Sequence, residues 1–184
     1  STNQGSNRHR PNDPGIIPSR WIQSCRMTPS DGRAETHIRD VTDADMPAIQ
    51  EIYAHHVLHG LASFEEERPD VAEMTSRRDK ILADGYPYRV AEHSGLIAGY
   101  AYASRYRPRP AYRYTVENSI YVAKDATGLG IGDLLLDDLI KSCTALGFRQ
   151  MVAVIGDTEN HASINLHEKH GFERAGEIRS VGFK

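Results

Sequence analysis

The sequence predicts an α/β fold in a single domain. Three observations carry this: strand-like and helix-like segments alternate from His37 onward, a β-rich segment runs straight into a glycine-rich loop, and that loop opens a long apolar-periodic helix. With 184 residues, 39% of them hydrophobic and 26% charged, the chain has enough apolar material for one proper core and needs no second domain. The formal net charge of -3 and the lack of a basic run argue against nucleic acid as a partner. No apolar stretch reaches transmembrane length, so no membrane partner is expected. The two cysteines, Cys25 and Cys143, fall in a polar leader and on an apolar helix face, so neither a disulfide nor a cysteine metal site is expected, and a reducing cytoplasm fits.

Residues 1–36 are read as a disordered leader, because Ser, Pro, Asn, Gly and Arg dominate them without periodicity. Pro11, Pro14, Pro18 and Pro29 break the amphipathic helix that an organelle-targeting peptide needs, and Met27 is the expected natural start. Residues 37–184 form the folded domain. Its elements are expected in the order strand, helix, helix, strand, strand, strand, helix, strand, helix, strand.

The first helix takes Thr42 as N-cap with Asp45 three residues on, buries Met46, Ile49, Ile52, Tyr53 and Val57, and stops at Gly60. The second runs from about Asp70 to Asp84 with Val71, Met74, Ile81 and Leu82 apolar and Gly85 as its stop. Arg89–Glu92 and Leu96–Ser104 read as a hairpin around His93-Ser94-Gly95. Tyr114–Val122 is the next strand, and its polar centre Glu117-Asn118-Ser119 predicts a bulge, a bend or a lined cleft. The long helix follows, with Leu134, Leu135, Leu136, Leu139, Ile140, Cys143 and Leu146 as its apolar positions. Met151–Ile155 is expected as a short buried strand and Phe172–Ile178 as the last.

The chemistry concentrates between Glu117 and Gly132, where a strand delivers a carboxylate and the loop Thr127-Gly128-Leu129-Gly130-Ile131-Gly132 opens a helix. Glycines let a backbone approach a ligand closely, and first-turn amides attract phosphate or pyrophosphate; a tight turn without a ligand is the alternative. No Gly-Lys-Ser/Thr follows, which disfavours a Walker loop, and the spacing is not that of a dinucleotide fold.

These residues resemble the GCN5-related N-acetyltransferases. The acetyl-CoA signature Gln/Arg-x-x-Gly-x-Gly/Ala falls on Thr127-x-x-Gly130-x-Gly132, with Thr127 departing from the usual long side chain. A second block, Asn160 to Phe172, is similar to the family's Asn-x-x-Ser-x-x-Leu/Met-Tyr/His-x-x-x-Gly-Phe segment, which begins the helix beside the pantetheine arm. Ala62-Ser63-Phe64-Glu65, Arg107 to Glu117, Val152 to Gly156 and Val181 to Lys184 look like the phosphinothricin and methionine sulfoximine or sulfone acetyltransferases. The resemblance implies a mixed, mostly antiparallel sheet flanked by helices, a further strand beyond Lys184, acetyl-CoA as cosubstrate without a metal, a small amine substrate and a homodimer.

It also implies site roles. Glu117 becomes the general base, where its position alone favours a solvated or ion-paired strand carboxylate. Strand amides near Ile120, Tyr121 and Val122 would hold the thioester oxygen. His167 would give a proton to the departing sulfur, the alternative being a helix-surface histidine beside His170. Gly128, Leu129, Gly130, Ile131 and Gly132 with Thr127 would cradle the pyrophosphate; Asn160 would contact the coenzyme arm, and Ser163 would contact it or cap the helix. Arg107 and Arg109, on a proline-stiffened loop with Tyr112, would grip a substrate acid in bidentate fashion, and Phe64 and Tyr121 would line the pocket.

His55, His56 and His59 include one i,i+4 pair, but no third ligand suggests itself and no metal is expected. Cys143, at core spacing, disfavours an acetyl-cysteine intermediate, which leaves direct transfer in a ternary complex. The expected activity is N-acetylation of a small amino acid analogue with an acidic side chain. The alternatives are acetylation of a polyamine, an aminoglycoside or a peptide N-terminus, and a CoA-binding module without catalysis.

Overall fold

The computed structural model describes residues 35–60, 63 and 65–178, and the calls on the leader, Met27, Cys25, Ala62, Phe64 and the terminal Val181–Lys184 lie outside those residues. Among the described residues, nine strands and α-helices follow one another: β1 (Thr36–Asp40), α1 (Met46–His59), α2 (Val71–Ala83), β2 (Tyr88–His93), β3 (Leu96–Arg105), β4 (Thr115–Val122), α3 (Ile131–Ala145), β5 (Gln150–Ala153) and α4 (His161–Lys169). The strands form one sheet in the order β1-β2-β3-β4-β5. All neighbours are antiparallel except β4 and β5, which run parallel.

The alternation within β3 decides what each face of the sheet holds. In Gly99-Tyr100-Ala101-Tyr102-Ala103 the tyrosines point one way and the small residues the other, as a period of two demands. Tyr100 joins Tyr88, Val90 and Tyr121 against Ile49, Ile52 and Val57 of α1 and Met74 of α2. Ala101 and Ala103 join Ala91 and Val116 against Ile131, Leu135, Leu139 and Cys143 of α3. Gly99 shows how close α3 comes: a Cβ there would stand 2.9 Å from the Tyr121 carbonyl oxygen and 3.1 Å from Ile131.

Local signals place most boundaries. The Thr42 amide and hydroxyl both donate to Asp45, at 2.7 and 2.9 Å, and start a short 3-10 turn that leads into α1. Asp70 caps α2 by accepting from Glu73 N at 2.8 Å. Ser94 (φ 54) and Gly95 (φ 78) make the left-handed two-residue turn that a hairpin favours.

Five expectations are corrected. Gly60 does end α1, but in an extended conformation (φ -133), so its glycine character is not what stops the helix. Val71 and Leu82 of α2, like Leu134 and Leu146 of α3, are exposed, because each helix packs through a narrower stripe than its apolar residues span. The polar centre of β4 makes neither a bulge nor a bend, since it holds an unbroken register with β3 and the irregularity falls at Ala91/Glu92 in the β2–β3 pair; of the three expectations the lined cleft is left. The strand after α3 runs from Gln150 to Ala153 and is only half-buried, since among the described residues it pairs on one side only; Val154 beyond it is 63% exposed. Phe172–Ile178 forms no strand: it finds no ladder partner among the described residues, and Ile178 is 79% exposed.

Candidate active site

Strands β4 and β5 part company midway. They pair from Thr115 with Gln150 to Asn118 with Ala153, where β5 ends, so the edge of β4 from Ser119 to Val122 is open. The β3 register decides which groups face that opening. Ala123 N donates to Ala98 O at 2.9 Å, and bonded and unbonded pairs alternate along an antiparallel ladder. Tyr121 therefore bonds with Tyr100, and Ser119 with Tyr102. Ile120 and Val122 turn their backbone groups toward the opening. Of the three strand amides expected for the thioester, this leaves Ile120 and Val122 and removes Tyr121, whose amide faces β3. One group at that edge is already held: His56 of α1 donates from Nε2 to Val122 O at 3.0 Å.

Beyond β4 the chain makes a 3-10 turn (Lys124–Ala126) and then the glycine loop. Gly128 (φ 81) and Gly130 (φ 78) are both left-handed, a conformation that costs other residues about 1–2 kcal/mol. The first bond of α3 is Leu134 N to Gly130 O, so the amides of Ile131, Gly132 and Asp133 have no partner within the helix. These residues fit a pyrophosphate: clustered donors at the positive end of a 15-residue helix. Thr127 does not contribute its side chain, since its hydroxyl donates to Lys124 O at 2.9 Å. Asp133 would repel an anion there, but Lys169 (2.7 Å) and His170 (2.9 Å) both hold its carboxylate and keep its pKa low. Gly132 lets α4 close in, because a Cβ would meet Leu166 at 3.2 Å.

Helix α4 joins β4 through a buried polar chain. Asn160 caps the helix by accepting from Ser163 N at 3.1 Å, so Asn160 and not Ser163 is the cap. His167, only 7% exposed, presents Nδ1 to Ser163 O at 2.7 Å and Nε2 to Asn118 Nδ2 at 3.1 Å. A carbonyl only accepts, so Nδ1 carries the proton and Nε2 accepts from the Asn118 amide. Burial lowers the His167 pKa, against the Ser163 carbonyl, which raises it; the ring is neutral near pH 7. Asn118 is thus a site residue that its position in a polar trio did not single out.

On the opposite face of β4 stand Glu117, Ser119 and Tyr121. The Glu117 carboxyl is half-buried and desolvation raises its pKa above 4.5. Tyr102, diagonal to it across the strand pair, lies near enough for the Glu117 charge to raise its hydroxyl pKa further, though burial is the larger cause and a Ser119 hydrogen bond opposes it. Behind them the tyrosines stack: Tyr88 on Tyr102 at 5.1 Å and Tyr100 on Tyr121 at 5.1 Å, with Tyr53 edge-on to Tyr121 at 5.2 Å. Sequence reasoning passed over Tyr53, Tyr100 and Tyr102; the i,i+2 spacing of the last two was the available signal.

Arg107 and Arg109 are exposed on the loop between β3 and β4. Arg107 lies over the Tyr106 ring at 5.2 Å and near Tyr112 at 5.9 Å, a cation–π arrangement, and makes no ion pair among the described residues. The i,i+4 pair His55 and His59 sits with ring centroids 5.0 Å apart and tilted by 43°, and no group of three ligating side chains is placed to hold a metal among the described residues. Cys143 lies in the core, where burial pushes its thiol pKa up to about 11.

A sheet that opens beside a glycine loop, with a carboxyl on the adjoining face, is the architecture of a coenzyme-dependent acyl transferase. The chain belongs to the acetyltransferase (GNAT) family, which it matches over residues 49–172. It is 53% identical to a phosphinothricin N-acetyltransferase of Alcaligenes faecalis over 152 residues, 83% of this chain and 77% of that protein. It is 40% identical over 148 residues to an L-methionine sulfoximine/L-methionine sulfone acetyltransferase of Pseudomonas aeruginosa, covering 80% of this chain and 86% of the relative. Among solved structures it is similar to a GNAT superfamily phosphinothricin acetyltransferase from Sinorhizobium meliloti in complex with AcCoA, with a TM-score of 0.78 and 50% identity over 81% of this chain and 80% of that one.

Proposed function

We propose that this protein transfers the acetyl group of acetyl-CoA to the amino group of a small amino acid analogue of the phosphinothricin or methionine sulfoximine and sulfone type. One observation carries the reading: a half-buried Glu117, without an arginine partner among the described residues, stands on the strand whose open edge adjoins the glycine loop. Acetyl-CoA supplies the activated acetyl group. Ile131, Gly132 and Asp133 amides would hold its pyrophosphate, and the Val122 and Ile120 amides would face its thioester oxygen. Glu117 takes the proton from the substrate ammonium, directly or through water. The free amine then forms the new N–C bond as the C–S bond breaks and the thiolate leaves. Transfer is direct, since the one described cysteine is buried with a raised pKa. Arg107 and Arg109 bind the substrate carboxylate.

His167 stands where the family places a proton donor, but its geometry supports a different use. Both ring nitrogens are engaged inside the protein and burial keeps the ring neutral, so it holds Asn118 and α4 in place. As a positioning residue it leaves the pH profile to Glu117: kcat/KM rises with pH through the raised Glu117 pKa and then stays level. As an acid it would make kcat/KM fall again above a pH below 6.5. The relatives' names support a small amine substrate, and we assign a homodimer and a cytoplasmic location to be checked by sedimentation and fractionation.

The decisive measurement is thiol release from acetyl-CoA with phosphinothricin, methionine sulfoximine and methionine sulfone, with spermidine and a peptide as contrasts. Glu117→Gln is expected to lower kcat about 100-fold or more with little change in the KM for acetyl-CoA. A loss of less than tenfold would remove the base assignment, and binding without turnover on every amine would favour a regulatory module.

A further inference from the structure

His56 stands where α1 meets the open edge of β4, a place that no assigned role accounts for. It lies in the last turn of α1, and Gly60 N closes the helix on its carbonyl at 3.1 Å. Its ring is half-buried against Tyr121, with centroids 5.4 Å apart and planes at 59°. Nε2 donates to Val122 O at 3.0 Å. A carbonyl only accepts, so Nε2 keeps its proton whether or not the ring is charged.

This bond completes the clamping of a single peptide unit. Ala123 N donates to Ala98 O of β3 at 2.9 Å, and Val122 O, the other end of the same peptide, accepts from His56. That unit is where β4 hands over to the turn that leads into the glycine loop. Along the open edge the backbone groups run Ile120 N, Ile120 O, Val122 N, Val122 O, because the N–H and C=O of one strand residue point the same way. The Val122 amide therefore stands between two carbonyls, and each turns the negative end of its dipole toward whatever the amide binds. A group that gains negative charge there would be opposed by both. His56 covers one of them with a donor, which leaves the edge weighted toward donors.

We propose that His56 is a positioning residue of the acetyl transfer: by binding Val122 O it withdraws that carbonyl from the thioester and turns the end of β4 into a donor edge for the charge that develops on the thioester oxygen. His56 acts through the Val122–Ala123 peptide and transfers no proton. Its effect belongs to the transition state, because the oxygen carries that charge only there. The inference rests on the reading above, in which the Val122 amide faces the thioester oxygen, and it adds a helix side chain to a site otherwise made of backbone.

Two variants separate the ring from its N–H. His56→Phe keeps an aromatic ring against Tyr121 and loses the donor, whereas His56→Gln loses the ring and carries an amide N–H at the same remove from Cβ. Thiol release from acetyl-CoA is measured with whichever of phosphinothricin, methionine sulfoximine and methionine sulfone the wild type acetylates fastest. His56→Phe should lower kcat about tenfold, the loss of one hydrogen bond, and change the KM for acetyl-CoA less than threefold. His56→Gln should stay within threefold of the wild-type kcat. Without turnover, the infrared carbonyl stretch of bound acetyl-CoA labelled with 13C should lie lower in the wild type and in His56→Gln than in His56→Phe. A packing role gives the opposite order, with His56→Gln losing activity and thermal stability and His56→Phe losing neither. Equal loss of kcat in both variants, a His56→Phe kcat within threefold of the wild type, or a loss carried by the KM for acetyl-CoA overturns the positioning role while leaving the acetyltransferase reading intact. Absence of thiol release by the wild type with every amine overturns both.

Discussion

The two sides of β4 are built from different materials. The proposed coenzyme side consists of backbone: amides at an open strand edge, two left-handed glycines and a helix N-terminus, supported by Gly132 and the Asn118–His167 pair. The proposed amine side consists of side chains: tyrosines of α1, β2, β3 and β4 with ring centroids 5 to 6 Å apart. A backbone site tolerates substitution wherever the main-chain path is kept, so it binds a constant ligand. A side-chain site changes with each residue, which suits discrimination among amines.

The comparison makes separable predictions. The largest concerns chemistry: Glu117→Gln should act almost wholly on kcat, about 100-fold, and its failure to spare coenzyme binding would show that the two sides are not independent. Next, Gly130→Val adds a β-branched side chain at φ 78, so the loop must shift. The KM for acetyl-CoA should rise about tenfold while the ratio of activities among amines stays constant. A changed amine preference would break the division.

Gly99→Ala probes the join. Its Cβ collides with the backbone of Tyr121 at 2.9 Å and presses on α3, so stability should fall by about 1–3 kcal/mol in denaturant unfolding, with both sites affected together. The smallest effect lies away from both. Asp45, gripped by Arg39 at 2.8 Å, has its pKa held down from 3.8 to about 2 by that hydrogen bond, against desolvation. A depressed carboxyl stabilises the fold above its unfolded pKa and loses that contribution as pH falls from 3.8 through about 2. Because Arg39 is a third exposed, Asp45→Asn should cost about 1 kcal/mol at pH 7 and clearly less at pH 2, where the carboxylate is half protonated. Activity per folded molecule should not change.

The two sides were not equally legible. Thr127 to Gly132 could be read because glycines, a following apolar period and a preceding strand are contiguous, and each is a local property of the chain. Glu117 could be proposed as a base only through the family resemblance, since its position alone favours a solvated strand carboxylate. Asn118 could not, since its partner His167 is 49 residues away. The tyrosine stack was illegible as a unit: Tyr53, Tyr88, Tyr100 and Tyr102 lie on α1, β2 and β3, and any one of them alone reads as core. Arg107 and Arg109 were visible as a basic, proline-bounded loop.

By itself the sequence determined the alternation of elements, the left-handed turns, the helix caps and the family, because these depend on residues a few positions apart. Tertiary structure alone decided that β4 keeps its register through a polar centre and that, of Ile120, Tyr121 and Val122, only Ile120 and Val122 turn their amides to its open edge. It also decided that Phe172–Ile178 forms no strand, and that tyrosines from separate elements pack ring against ring. Those outcomes depend on hydrogen-bond parity and on side-chain packing between distant segments, and neither is written in any local stretch of the chain.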